Sequence, residues 1–208
     1  NGEKYTITSN GEVELKTLKV GDEVTYQGEN FYVIGFSTDK TKVNLLAKYN
    51  LKKDGDGNIL KEQDITGGSD GSNVYAFSSE NYWDSVSGIA YPDVSGKYPD
   101  LNDETKYPKG DATSIVTIAK EYGSKLEATG RLMTVEEVVV LGGNISSNST
   151  SECLEYINLQ NFWLGSAYNY SHVWYVNGTG GSLYHSFYDD DSGYGVRPVL
   201  EVLTSSIK

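Results

Sequence analysis

Residues 161–203 read NFWLGSAYNYSHVWYVNGTGGSLYHSFYDDDSGYGVRPVLEVL, and this stretch decides the fold. Apolar segments open it at 162–164 and close it at 196–203, and short runs separated by Gly, Asn, Ser and Asp lie between them. Residues 177–181 have the composition of a turn, and Leu183 begins another run. The stretch therefore predicts antiparallel strands joined by turns, with a buried strand at its end.

Alternation within residues 173–177 predicts which side chains share a face. Successive side chains of a strand point to opposite faces, so Trp174 and Val176 lie on one face and Tyr175 and Asn177 on the other. The first face is expected to belong to the scaffold. The second face is expected to be exposed to solvent.

The polar and aromatic residues of this stretch have the composition of a binding surface. Tyr offers a large contact area at little cost in rotamer entropy, and Ser, Gly and Asn adapt around it. The plainer interpretation is three antiparallel strands with long turns, but so many aromatics beside turn residues favour binding. The expected contact residues are Tyr168, Tyr170, His172, Tyr175, Asn177, Tyr184, His185, Tyr188, Asp189, Asp190, Asp191 and Tyr194.

Three segments carry a resemblance to a known family. Phe162-Trp163-Leu164, the VWYVNG run at 173–178 and the GVRPVL run at 195–200 resemble the C-terminal part of a bacterial C-type-lectin-like domain. That superfamily includes the formylglycine-generating enzymes and the variable proteins of diversity-generating retroelements. Upstream, the GRLM run at 130–133 is similar to the Gly-Arg-Leu-Pro stretch of the former, with Met133 in the place of Pro.

The resemblance implies an α+β domain with the C-type-lectin-like fold, in which two helices pack on twisted antiparallel β-sheets. It also implies that the chain ends meet in one sheet, so that residues 31–36 neighbour residues 196–203. Residues 1–18 lie outside that unit and are expected to form an N-terminal β-hairpin extension or a linker. The domain then spans 19–208, with insertions at 50–73 and 85–110.

Helical spacing and capping signals predict the two helices. Apolar residues at 115, 118, 119 and 122 define the first, with a cap at Asp111 or Thr113 and a stop at Gly123. Thr134 and Glu137 form a capping box that begins the second, which is expected to end at residues 142–143.

Composition limits the partners. The net charge of −12 and the pI of about 4.6 argue against nucleic acid and anionic membrane surfaces. No apolar stretch is long enough to span a membrane. The sequence starts at Asn1 without Met, so we expect an ectodomain that is extracellular or on the cell surface, anchored through an upstream segment. The ligand would be a protein or carbohydrate on another cell surface.

The residues that catalysis would need are scarce. Cys153 is the only cysteine, so the paired thiols of the formylglycine-generating enzymes are missing, and His172 and His185 are the only histidines. We therefore expect no enzyme activity and no cofactor. Calcium is the one candidate, held by residues 189–191 beside Asn177, although a solvated loop tip is the commoner use of three adjacent Asp residues.

Residues 54–58, DGDGN, also place oxygens at alternate positions as a calcium loop does. Ile59 and Ile65 then occupy the sixth and twelfth positions, so the segment predicts a solvated turn. The main expectation is a binding module, either diversified by a retroelement or not. A structural or assembly subunit of a pilus-like structure and an oxidase-type enzyme on the same fold remain alternatives.

Overall fold

The structure is a computed structural model that describes residues 4–7, 13–66, 97–103, 114–169, 172–187 and 194–207. Its described elements are antiparallel strands and two α-helices, as expected for an α+β protein. The strands are β1 (Lys4–Ile7), β2 (Val13–Lys16), β3 (Glu23–Tyr26), β4 (Glu29–Phe36), β5 (Lys42–Ala47), β6 (Leu51–Lys53), β7 (Ile59–Gln63), β8 (Thr129–Leu132), β9 (Phe162–Ala167), β10 (His172–Asn177), β11 (Ser182–Phe187) and β12 (Pro198–Leu203). The helices are α1 (Ile115–Lys125) and α2 (Val135–Val140).

A five-stranded sheet in the order β3-β4-β5-β12-β8 joins the beginning of the chain to its end. Its strands are nearly all apolar on the inner face; Phe31, Val33, Val43 and Leu45 are fully buried. The C-terminal strand β12 pairs with β5 and β8. The expectation that residues 31–36 would neighbour the C-terminal strand is wrong, because β5 lies between β4 and β12.

Helix α1 begins at Ile115 after Ser114 and runs through Gly123, where the sequence predicted a stop. A side chain cannot be accommodated there, because a Cβ on Gly123 would lie 2.3 Å from the backbone nitrogen of Gly130. The glycine therefore allows α1 to pack directly on β8. The expected caps at Asp111 and Thr113 lie outside the described residues.

Helix α2 begins as predicted. The backbone N–H of Glu137 donates to the Thr134 hydroxyl (3.3 Å), and the N–H of Thr134 donates to the Glu137 carboxylate (3.0 Å). The same carboxylate accepts two hydrogen bonds from the Arg131 guanidinium, at 2.7 and 2.6 Å. Arg131 thus fixes the start of α2 to strand β8.

The N-terminal residues and residues 50–66 form separate two-stranded sheets. Strands β1 and β2 pair as the predicted hairpin. Strands β6 and β7 form a second hairpin, and its buried residues Leu51 and Gln63 attach it to the core. The segment expected to be an insertion is therefore fixed to the domain by its own side chains.

A three-stranded sheet in the order β11-β10-β9 holds five of the twelve expected contact residues, namely His172, Tyr175, Asn177, Tyr184 and His185. Both faces of strands β9 and β10 are covered, and all six residues of β9 are buried. Trp174, Val176 and Leu183 belong to one core cluster, while Trp163, Val173 and Tyr175 belong to another. The sheet therefore separates two cores instead of covering one.

None of the helices in the described part of the chain is long and apolar enough to cross a bilayer.

Candidate functional site

The expected contact residues lie on opposite faces of the three-stranded sheet. His185 pairs with Trp174 across β10 and β11, and Tyr184 pairs with Tyr175. Adjacent residues of a strand point to opposite faces, so the histidines and Tyr184 cannot contact one small ligand from the same side. Tyr170, Tyr188 and residues 189–191, including the expected calcium loop, lie outside the described residues.

Tyr175 is the clearest correction. It was expected to be exposed, but only 9% of its surface is accessible. Its ring stacks on Tyr194 at a centroid distance of 3.9 Å and meets the edge of Trp163 at 5.8 Å. The backbone of residues 194–196 returns along the start of β9, where Trp163 N–H donates to the carbonyl of Gly195 (3.0 Å). Residues 194–196 thus extend the sheet beside β9, and the rings of Tyr194 and Trp163 cover Tyr175, so Tyr175 and half-buried Tyr194 pack in the interior.

Asn177 has a local structural role. Its side-chain oxygen accepts hydrogen bonds from the backbone N–H of Gly180 (3.0 Å) and from the Thr179 hydroxyl (3.1 Å). These contacts fix the turn between β10 and β11. The turn itself is placed as the sequence predicted.

The other face carries a continuous group of rings, which we call the aromatic patch. Tyr168 and His185 stack in parallel with centroids 3.6 Å apart, and both rings meet Trp174 edge-on. Phe187, 55% exposed, lies 4.2 Å from the ring of His172. The six residues of the patch are Tyr98, Tyr168, His172, Trp174, His185 and Phe187.

Sequence reasoning did not assign Tyr98 and Phe187 to this site. Tyr98 lies in the segment expected to be a surface insertion, yet its ring is 5.3 Å from Trp174. The segment lies along β9, because Ala167 N–H donates to Pro99 O (3.0 Å) and Leu101 N–H to Gly165 O (2.7 Å). Phe187 could have been found from its alternation with His185, whereas nothing local to Tyr98 indicates this position.

The histidines of the patch favour the neutral form. Burial lowers the pKa of His172 below its ordinary value. Burial, and then the proximity of His172, lower the pKa of His185. His172 Nδ1 lies 3.0 Å from the side-chain oxygen of Asn169, which also accepts the backbone N–H of His172 (2.9 Å). The patch is therefore an uncharged aromatic surface at neutral pH.

Two buried polar atoms of the patch, Trp174 Nε1 and His185 Nδ1, have no hydrogen-bond partner among the described residues. Such atoms are uncommon in folded proteins, since each leaves an uncompensated desolvation cost of about 1–3 kcal/mol. They belong to neighbouring rings whose centroids are 5.7 Å apart.

Arg197 connects residues 47–48 with Tyr156 in the interior of the domain, and sequence reasoning did not single it out. It is fully buried and donates to the carbonyls of Ala47 (2.7 Å), Tyr156 (2.8 Å) and Lys48 (3.1 Å). Its guanidinium lies 5.2 Å from the ring centroid of Phe162. Burial lowers the pKa of Arg197 to about 10, so it remains charged at neutral pH.

The described residues contain no group of three His, Cys, Asp or Glu side chains that could hold a metal ion. The DGDGN segment forms the predicted turn. The carboxylate of Asp54 accepts the backbone N–H groups of Asp56 and Asn58 and the side-chain amide of Asn58, each at 2.9 Å.

No family model, no curated protein and no solved structure matches the chain. Functional assignment therefore depends on the chemistry of its own residues.

Proposed function

We propose that this protein is a binding module without catalytic activity, and that it recognises a carbohydrate or protein ligand through the aromatic patch. One observation carries the proposal: half-buried stacked rings and exposed Phe187 gather around Trp174, which is buried at 1% exposure in the three-stranded sheet. Aromatic rings of this kind bind through apolar contact and stacking, and concentrate binding energy in few residues.

We further propose that the domain has the C-type-lectin-like fold and is displayed outside the cell. The fold proposal is supported by the two helices, the antiparallel sheets and the pairing of β12 with β5, a strand from the first quarter of the chain. Diversification by a retroelement is a further part of this proposal. It requires a reverse-transcriptase gene nearby and a near-copy of the codons for residues 162–199.

The direct test measures binding of the labelled protein to a panel of intact bacterial and animal cells by flow cytometry. Phe187→Ser and Tyr184→Ser are matched variants, because both side chains are exposed on β11 but point to opposite faces. Phe187→Ser is expected to weaken binding about tenfold, as loss of an exposed aromatic anchor does. Tyr184→Ser is expected to leave it unchanged.

Pretreatment of the cells separates the two ligand classes. Loss of binding after protease treatment indicates a protein ligand, and loss after glycosidase treatment indicates a glycan. The proposal is wrong if no cell in the panel binds, or if Tyr184→Ser and not Phe187→Ser abolishes the signal.

An assembly subunit is a second candidate, favoured by the position of β11. This strand is the last of the three-stranded sheet and carries exposed Tyr184 and Phe187, while its first residues pair with residues 148–150. Exposed aromatic side chains of this kind are frequent in interfaces between subunits. Sedimentation at increasing concentration would detect such assembly, and Tyr184→Lys would weaken it.

A further inference from the structure

A cavity of about 330 Å³ lies away from the aromatic patch, between the β3–β4 turn and the β6–β7 hairpin. Gly28 and Glu29 form one side, and Tyr49, Lys52, Glu62 and Ile65 lie around the rest. It combines an aromatic ring, an exposed aliphatic side chain and carboxylates in a space of small-molecule size.

Glu29 is held in place by groups that are themselves buried. The hydroxyl of Tyr122, a fully buried residue, donates to Glu29 Oε2 (2.6 Å). The amide nitrogen of the Gln63 side chain donates to that hydroxyl and to the carbonyl of Asn30, both at 3.0 Å, while Gln63 Oε1 accepts the backbone N–H of Tyr49 (3.0 Å). This network joins α1, β4 and β7, and so fixes the carboxylate at the cavity wall.

The charge of Glu29 is not balanced by the described cations around it. Lys52 pairs with Glu62 across the β6–β7 hairpin (3.3 Å), and Lys48 pairs with Glu23 (2.7 Å). Lys125, on α1 near the network, donates to the backbone carbonyl of Lys61. Among the described residues, the Glu29 carboxylate accepts hydrogen bonds from Tyr122 and from the backbone N–H of Gln63 alone, and both reach Oε2. A half-buried carboxylate with this environment favours a cationic ligand.

The hydrogen bonds of Glu29 also decide which cation fits. A guanidinium binds a carboxylate best through two parallel hydrogen bonds, one to each oxygen. Oε2 already accepts the short bond from Tyr122, so only Oε1 has its full capacity left. An ammonium group is a point charge that needs a single oxygen, and Tyr49 and Ile65 offer contact to the methylenes that carry it.

We propose that this cavity is a second binding site, which takes a primary ammonium group on an aliphatic chain, such as a lysine side chain, with Glu29 as its counterion. The site is independent of the aromatic patch, so it stands whether or not the patch binds a glycan or protein.

The test is an NMR titration of the whole protein with Nα-acetyl-lysine N-methylamide, followed through the backbone amides of Gly28, Tyr49 and Gln63. Saturable shifts at millimolar probe are expected. The norleucine analogue has no charge, and the arginine analogue has a guanidinium that binds best to two carboxylate oxygens. Each is expected to bind at least about tenfold more weakly than the lysine probe, because each lacks the single charge-assisted contact that fits. Equal binding of all three probes, or no saturable shift with lysine, overturns the proposal.

Two variants test whether Glu29 is the carboxylate that binds the ammonium group. Glu29→Gln retains an oxygen for the Tyr122 hydroxyl but removes the charge, and it is expected to weaken lysine binding about tenfold. Glu62→Gln makes the same change in charge at an exposed position paired with Lys52, and it is expected to change affinity less than about threefold. Equal weakening by both would indicate non-specific attraction and would refute the site. If Glu29→Gln alters the spectrum throughout, Glu29→Asp replaces it, and unchanged lysine affinity in this shortened side chain would refute a direct contact.

Discussion

Replacing Tyr175 with Ala tests the finding that both faces of the three-stranded sheet are covered. Tyr175 is 9% exposed and contacts the rings of Trp163 and Tyr194, so its truncation removes a large aromatic side chain from a core. Truncations of this kind cost about 3–5 kcal/mol, and the lost aromatic pairs are included in that figure. We therefore expect the free energy of unfolding to fall by about 3–4 kcal/mol.

The matched control is Tyr184→Ala. Tyr184 is the cross-strand neighbour of Tyr175 but is 43% exposed, so its loss is expected to cost about 0.5–1 kcal/mol. Trp174→Ala, on the opposite face and 1% exposed, provides a benchmark for a buried ring, at about 3–5 kcal/mol.

Urea unfolding at pH 7, followed by far-ultraviolet circular dichroism, measures all three variants. The double variant Tyr175→Ala/Tyr184→Ala should show a coupling energy below about 1 kcal/mol, as for a single cross-strand pair. If Tyr175→Ala costs no more than Tyr184→Ala, the face that carries Tyr175 is open to solvent, and the reasoning is refuted.

Three further predictions concern individual polar groups. Arg197→Met should destabilise the fold by about 3–5 kcal/mol, because it removes the donor from three backbone carbonyls, two of them in buried hydrogen bonds. Arg197→Lys should recover part of this loss, and an unchanged urea midpoint for Arg197→Met would contradict the prediction. The pKa values of His172 and His185 are lowered in the folded protein, so their contribution to the free energy of unfolding is fully present above about pH 6.5. The free energy of unfolding decreases below that pH, because the unfolded chain binds protons there that the folded chain does not. His185→Phe should reduce the difference in unfolding free energy between pH 7 and pH 5.5, and an identical difference would contradict the assignment. Thr134→Ala should cost about 1 kcal/mol through loss of the capping box, whereas Thr134→Ser should cost less, and thermal melts that show equal costs for the two variants would contradict a role for the cap.

The sequence could predict features that depend on neighbouring residues. The capping box at Thr134, the turn after Asn177 and the hairpin of β1 and β2 all depend on short-range geometry, and the structure confirms them. Alternation also placed Trp174 and Val176 on the same buried face. These predictions succeed because period and turn chemistry are properties of a few consecutive residues.

Of the candidate site, sequence reasoning identified Tyr168, His172 and His185 but expected them on one surface with Tyr184. Alternation of Tyr184 and His185 along one strand already separates them, so this part of the expectation was wrong for a local reason. Tyr98 reaches the patch from a segment more than 60 residues earlier in the chain, and only the backbone hydrogen bonds between residues 99–101 and β9 place it there.

The sequence by itself determined local features: where α2 begins, where the turns lie, and which side chains of one strand share a face. Tertiary structure decided what covers each face. Tyr175 is buried because the rings of Tyr194 and Trp163 pack on it, and α1 packs directly on β8 because Gly123 and Gly130 have no side chains. Glu29 faces a cavity because a hairpin distant in sequence supplies the opposite wall. The physical reason is common to all three, since a side chain's exposure depends on partners distant in the chain, and local periodicity carries no information about them.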